Sequence, residues 1–206
     1  MCGRFVITNA VFKTKKIVKI SIKVEDTVNY NCHPSQKLPV IKRYINGNTL
    51  ENLTWGIVPQ WAKKKDFKPL INARLETINE KISFKKLIKS FRCIAVADGY
   101  YEWKKEHNSK TPFYLTREDN KTSFFAGIFE KNQFCILTQN SSGIVTNVHQ
   151  RQPVILREKD ISAYLNLKTE ASNFLNNYKS PNLVYYQISK DVNNPKNNNE
   201  SLIQKI

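Results

Sequence analysis

Two closely spaced pairs of apolar and aromatic segments dominate the middle of this chain. They are CIAVA (93–97) with YYEWK (100–104), and SFFAGIFE (123–130) with QFCILTQ (133–139). Each segment is too short for a stable helix and rich in residues that suit a pleated, half-buried surface. Asp98-Gly99 separates the first pair and Lys131-Asn132 the second, so each pair reads as strand, tight turn, strand. LTWGIVP (53–59) and VYYQIS (184–189) read as further strands. Helical spacing is found in INEKISFKKLIKSF (78–91), EKDISAYLN (158–166) and TEASNFLNNY (169–178), whereas VFKTKKIVKI (11–20) fits a short helix or a basic strand. Strands that follow one another directly favour antiparallel pairing over βαβ crossovers, so the expected class is α+β. No linker or internal repeat divides the sequence, and one domain over residues 1–206 is expected. The Asn-rich stretch DVNNPKNNNE (191–200) reads as a polar loop near the end.

Composition narrows the function classes. Hydrophobic residues make up 40% of the 206, too many for a disordered chain and enough for a sizeable core. Cys2, Cys32, Cys93 and Cys135 form no CxxC and have no histidine at ligand spacing, which argues against a disulfide scaffold and a structural zinc site. No metal and no cofactor is called for. The first residues lack a signal-peptide core, and no apolar run approaches the roughly 18 residues of a spanning helix. A reducing, cytoplasmic setting without membrane association is expected. The 33 Lys and Arg against 17 Asp and Glu give a formal charge of +16. Of this, +15 falls in residues 1–157 and +1 in residues 158–206. Part reflects an AT-rich codon bias, with 26 Lys, 23 Asn and 20 Ile, but Glu has not risen with Lys. A polyanion partner, nucleic acid foremost, is the expected reason for the remainder, with simple solubility as the plainer reading.

Cys2 holds the most distinctive chemistry. Removal of Met1 would leave a free α-amine beside a thiol, with reference pKa values of about 7.7–8.0 and 8.5. Such a 1,2-aminothiol condenses with an aldehyde to an imine, and its sulfur then closes a five-membered thiazolidine, which a lysine cannot do. Taken alone, the plainer reading of Cys2 is an incidental second residue. Alternation along YYEWK puts Tyr100 and Glu102 on one face and Tyr101 and Trp103 on the other. Glu102 is then a candidate for proton transfer, or a solvent-facing strand residue. His149 carries an imidazole, a side chain that can shuttle protons, or it is a satisfied polar side chain. Asn72 can orient an amine or a sugar oxygen, or merely end a turn. Arg74 can grip phosphate bidentately, or lie on the surface. Trp61 can stack on a base, or pack in the core.

The motifs occur in an informative order. Met1-Cys2-Gly3-Arg4-Phe5 is followed by WGIVPQWAK (55–63), INARLET (71–77), RCIAVADGYYEWK (92–104), FAGIFE (125–130), VHQRQPVIL (148–156) and DVNNPKNNNESLI (191–203). This series resembles the SRAP family (SOS response-associated peptidases), proteins that crosslink to abasic sites in single-stranded DNA. The resemblance implies an antiparallel, barrel-like β core with peripheral helices and a positively charged DNA groove. It makes Cys2 the nucleophile, places Asn72 and Arg74 at the border of the active site, and assigns Glu102 to acid–base work in imine formation and in removal of Met1. It assigns His149 to opening the sugar ring and to reversal of the crosslink. It places Arg4 and Arg151 near the DNA backbone, and Trp61 and Pro34 beside the abasic gap. The implied partner is single-stranded DNA containing abasic sites, handled by a monomer in the nucleoid or nucleus. Three departures stand out: Gln152 occupies a position that is usually Met, His33 precedes Pro34 where alanine is common, and the segment between Arg4 and Tyr30 is short. Two other readings remain open at this stage, a thiol peptidase acting on other proteins and a non-catalytic nucleic-acid binder.

Overall fold

The computed structural model describes residues 2–15, 21–22, 24, 28–44, 47–62, 67–107, 109–176 and 178–206. In chain order the strands are β1 (Arg4–Ile7), β2 (Ser21–Ile22), β3 (Asn29–Cys32), β4 (Lys37–Tyr44), β5 (Gly47–Trp55), β6 (Asn72–Arg74) and β7 (Arg92–Ala97). They continue as β8 (Gly99–Glu106), β9 (Ser109–Arg117), β10 (Ser123–Glu130), β11 (Gln133–Asn140), β12 (Arg151–Pro153), β13 (Ile155–Leu156) and β14 (Leu183–Gln187). Four short helices lie between them: α1 (Ala10–Lys15), α2 (Leu87–Ser90), α3 (Ile161–Leu165) and α4 (Ala171–Asn176). The class is α+β, as the strand spacing predicts.

The larger sheet runs β12-β11-β10-β7-β4-β5-β2, and β11 also pairs with β5. Strands β11, β10, β7, β4 and β5 therefore close into a ring, a barrel that leaves no open edge along their paired lengths. Closure is made by the parallel register Gln133↔Thr54 and Phe134↔Trp55, where the Trp55 and Phe134 rings stack with centroids 6.3 Å apart. The smaller sheet, β14-β9-β8-β1-β3, packs its two faces differently. Phe5, Tyr100 and Leu115 join the main core, and the Phe5 ring meets Trp55 at 5.0 Å and Phe125 at 5.8 Å. Val6, Tyr101 and Tyr114 face a second cluster with Ile188, Val192 and Leu202 of the closing segment. That alternation puts Glu102 on the side of the main core, with Tyr100.

The pair around Lys131-Asn132 is a hairpin with Glu130 opposite Gln133, and Lys131 takes the left-handed conformation (φ 53°). The pair around Asp98-Gly99 is not. Strand β7 pairs with β4 and β10, while β8 pairs with β1 and β9, so the chain crosses from one sheet to the other at this step. A Cβ on Gly99 would lie 2.5 Å from the Tyr114 ring and 2.6 Å from the Leu115 carbonyl, which explains glycine there. Asp98 works as a cap rather than a turn residue. Its Oδ2 accepts the backbone N–H groups of Thr8, Asn9 and Ala10 at 2.6, 2.8 and 3.0 Å, the otherwise unpaired donors at the start of α1.

One other sequence expectation is corrected. Residues 78–91 form a string of turns with only α2 helical. Ile78, Phe84, Leu87 and Ile88 are buried but Ile82 is 73% exposed, so the apolar residues share no single helical face. Of 11–20, the described part is helical, as the short-helix reading expects, and 16–20 lie outside the described residues. Antiparallel pairing prevails, but β2–β5, β5–β11 and β6–β11 are parallel. No described helix is long and apolar enough to cross a membrane.

Replacing Asp98 with Ala removes the acceptor for three backbone donors. We expect a loss of about 2 kcal/mol of folding stability, read as a lower urea midpoint at unchanged slope. A change below about 0.5 kcal/mol contradicts the capping role.

Candidate functional site

Strand β11 has different neighbours along its two halves. Its first half closes the barrel against β5 and β10. Its second half extends further and is flanked by β6 (Ile136↔Asn72 to Thr138↔Arg74) and by β12 (Thr138↔Pro153 to Asn140↔Arg151). Asn72 opens β6 and His149 stands two residues before β12, so β11 positions both. The smaller sheet supplies the other two residues. Cys2 precedes β1, and β8 beside it carries Glu102 one position beyond Tyr101, the partner of Arg4.

The four side chains meet where the sheets converge. Asn72 donates its Nδ2–H to the Cys2 carbonyl at 2.9 Å, tying the start of the chain to β6. The Asn72 Oδ1 is buried and has no hydrogen-bond partner among the described residues. Glu102 Oε1 lies 3.9 Å from His149 Nδ1, with Glu102 buried and His149 partly exposed. His149 Nδ1 also accepts the Arg151 backbone N–H at 2.9 Å. The same Nδ1 lies 3.3 Å from the Arg151 carbonyl, so the donor and acceptor roles of the ring follow its tautomer. Cys2 is fully buried. Burial pushes its thiol far above the ordinary cysteine range, the Glu102 carboxylate adds to this, and the positive amino terminus opposes them. The Cys2 Sγ makes a long 4.0 Å contact to the Arg4 carbonyl. The arrangement groups a buried thiol, a buried carboxylate, an imidazole at the solvent boundary and an open acceptor.

The three motif arginines divide. Arg74 is exposed, and its guanidinium has no partner among the described residues. Arg4 points away from Phe5 and donates to Asn31 Oδ1 at 2.6 Å and to the carbonyls of Val192 at 2.9 Å and Asn193 at 3.5 Å. Arg151 forms a fork on Glu76 at 2.7 and 2.9 Å and also donates to Asn140 Oδ1 and the Thr138 carbonyl, both at 2.7 Å. Both are ties within the fold. Trp61 is 56% exposed, edge-on to Phe67 at 5.6 Å, which removes the core-packing reading. Pro34 is half-buried in a turn whose next residue, Ser35, has φ 75°. All four cysteines are free and buried. Among the described residues no three His, Cys, Asp or Glu side chains cluster as a metal site would require.

Sequence reasoning gave no role to three contributors. Asn31 donates to the carbonyls of Asn194 and Asn197 at 3.1 and 2.9 Å, holding the closing segment against β3. Glu76 ties the chain after β6 to β12. Tyr100 shares the core side of β8 with Glu102. Glu76 sits in INARLET and Tyr100 in YYEWK, so their motifs were visible but their partners are distant in sequence.

Burial alone would raise the Glu76 carboxyl, but hydrogen bonds from Arg151 and from the Glu76 and Asn140 backbone, together with the Arg151 charge, outweigh it and hold it below the ordinary glutamate value. A depressed carboxyl stabilises the fold above its unfolded pKa of about 4.3, and that stabilisation is lost as pH falls through the lower folded value. We therefore expect Glu76→Gln to melt below the wild type at pH 7, with the difference shrinking below about pH 4. A difference independent of pH contradicts the ion pair.

With this geometry established, comparison with known proteins is specific. The family model "SOS response associated peptidase (SRAP)" matches residues 1–195. Abasic site processing protein YoqW of Bacillus subtilis (strain 168) is 34% identical over 222 residues, covering 99% of each chain. Abasic site processing protein YedK of Escherichia coli (strain K12) is 30% identical over 227 residues, covering 100% of each. A crystal structure of a protein from Bacteroides thetaiotaomicron shares the fold at a TM-score of 0.82 over 100% of both chains, with 23% identity. The chain belongs to the SRAP family.

Proposed function

We propose that this protein processes abasic sites in single-stranded DNA by covalent capture at Cys2. One observation carries the reading: Cys2, Asn72, Glu102 and His149 converge from two sheets, with Asn72 fixing the Cys2 backbone at 2.9 Å. The relatives YoqW and YedK are named abasic site processing proteins, which supports the substrate class.

Met1 leaves first, and the same site is suited to removing it. The freed α-amine of Cys2 is partly unprotonated near neutrality. It attacks the open-chain aldehyde of the abasic sugar, and the Asn72 Oδ1 accepts a hydrogen bond from the amine. Loss of water from the carbinolamine needs a proton on the departing oxygen, and the Glu102 carboxylate takes it from the attacking nitrogen and passes it to that oxygen. The Cys2 sulfur then adds to the imine carbon and closes the thiazolidine. His149, at the solvent boundary, donates and recovers protons as the sugar ring opens. Arg74 holds a flanking phosphate. The exposed Trp61, with Pro34, offers an apolar surface to bases beside the gap.

Incubation with a single-stranded oligonucleotide carrying one abasic site should give an adduct that survives denaturing electrophoresis. Cys2→Ala, or any residue left ahead of Cys2, should abolish it. No adduct, or one undiminished in Cys2→Ala, overturns the proposal. Non-covalent affinity separates the arginines. Arg74→Ala should weaken binding about tenfold and reduce the salt slope by about one, with folding stability unchanged. Arg4→Ala and Arg151→Ala should instead lower the melting temperature, because each breaks several internal hydrogen bonds. Equal effects of all three on binding and none on stability contradict this division.

A further inference from the structure

The surroundings of Cys2 are rich in acceptors. The Arg4 carbonyl faces its sulfur, the Asn72 Oδ1 is open, and Glu102 is a carboxylate. Ring closure needs the opposite at the sulfur: a donor that stabilises negative charge as the S–H bond breaks. One buried donor near this point is unspent. The Tyr100 side chain is fully buried, and its hydroxyl has no hydrogen-bond partner among the described residues. A buried, unpaired hydroxyl costs free energy, so its retention calls for an explanation.

The strand register places Tyr100 on the site's side of the smaller sheet. Tyr100 shares the core side of β8 with Glu102 and pairs across the ladder with Phe5, three residues from Cys2. Cys2, Phe5 and Tyr100 belong to one packed cluster, and the Tyr100 ring is held edge-on to Phe125 at 6.0 Å. The charges of Cys2 and Glu102 both bear on the hydroxyl, and with burial, the largest cause, they push its pKa well above the ordinary tyrosine value. It therefore stays protonated, a donor rather than a base, at any pH at which the protein would work. Tyr101, its neighbour, faces the other way and spends its hydroxyl on the Tyr30 carbonyl at 2.8 Å.

We propose that the Tyr100 hydroxyl is a further hydrogen-bond donor of the site, which engages the Cys2 sulfur as it becomes a thiolate. This rests on the covalent capture proposed above. In the closing step the S–H bond breaks and its proton passes to Glu102. The sulfur lone pair forms the C–S bond to the imine carbon, and the imine nitrogen takes a proton from Glu102 to become the ring amine. Tyr100 gives up no proton; its O–H shortens toward the sulfur while the charge is there. Burial foremost, then Glu102, raise the thiol, and the amino terminus and the Arg4 backbone oppose them; Tyr100 is the added donor.

Tyr100→Phe keeps the ring and removes only the hydroxyl. In the Met1-trimmed protein, alkylation of Cys2, followed by mass spectrometry across a pH series, reads the thiol without any DNA. We expect the profile of Tyr100→Phe to move up by about one pH unit, the size of one hydrogen bond to a charged atom. With abasic single-stranded DNA, ring closure at pH 7 should slow about tenfold, while the imine trapped by borohydride forms at the wild-type rate. An unchanged alkylation profile overturns the proposal. So does an imine yield that falls as far as ring closure does, because the hydroxyl would then act on the amine step. A wild-type protein that forms no adduct refutes the covalent capture instead, and the alkylation profile still decides whether Tyr100 serves the sulfur.

Discussion

A five-stranded ring can close only if its strands are staggered, and here the stagger falls on β11. Its first residues pair with β5 and complete the barrel, so its last residues project past the ring with both edges unused. Strands β6 and β12 fill those edges, and each brings one polar side chain of the site, Asn72 and His149. The second requirement is the crossover at Asp98-Gly99. By moving the chain from β7 into the other sheet, it sets β8 beside β1 and thus Glu102 beside Cys2. Barrel closure and crossover together make the site a junction of two sheets, with Asn72 and Glu102 on strands and Cys2 and His149 two residues before one. The Asn72 to Cys2 hydrogen bond is the seam between them.

Arginine and lysine have different tasks in this chain. Five of its seven arginines donate to backbone carbonyls within the fold: Arg4, Arg92, Arg117, Arg151 and Arg157. The planar fork suits arginine to such buried or half-buried ties, and the ties leave little of it for a ligand. Arg43 and Arg74 are the exposed ones. The 26 lysines supply most of the positive field. Net charge therefore bears on attraction to a polyanion at a distance, whereas Arg74, inside INARLET and beside Asn72, stands where a single contact would be read.

Much of this was legible in the sequence, for local reasons. The Lys131-Asn132 hairpin and the strands on either side of Asp98-Gly99 follow from apolar runs bounded by turn residues. Cys2, Asn72, Glu102 and His149 were singled out by residue chemistry and motif order, and the structure brings all four together. What local pattern could not supply was partner choice. Asp98-Gly99 has the composition of a hairpin turn, but β8 pairs with a strand more than ninety residues away in sequence. Residues 78–91 have helical spacing, but Ile82 faces water and leaves the apolar stripe broken. Arg4 and Arg151 have the right residue type for phosphate, but the closing loop and Glu76 already hold them. The Tyr100 hydroxyl leaves no trace in a pattern that records only that the position is aromatic.

The central claim is that the start of this chain, delivered to the junction of the two sheets, is the point of covalent attachment. The most direct measurement is tandem mass spectrometry of the product formed with an abasic oligonucleotide, after nuclease and protease digestion. The account predicts a nucleotide remnant on an N-terminal peptide that begins at Cys2, lighter by one water than the sum of its parts, with a sulfur that resists alkylation. A remnant on a lysine, or on a Cys2 whose thiol still alkylates, would contradict it.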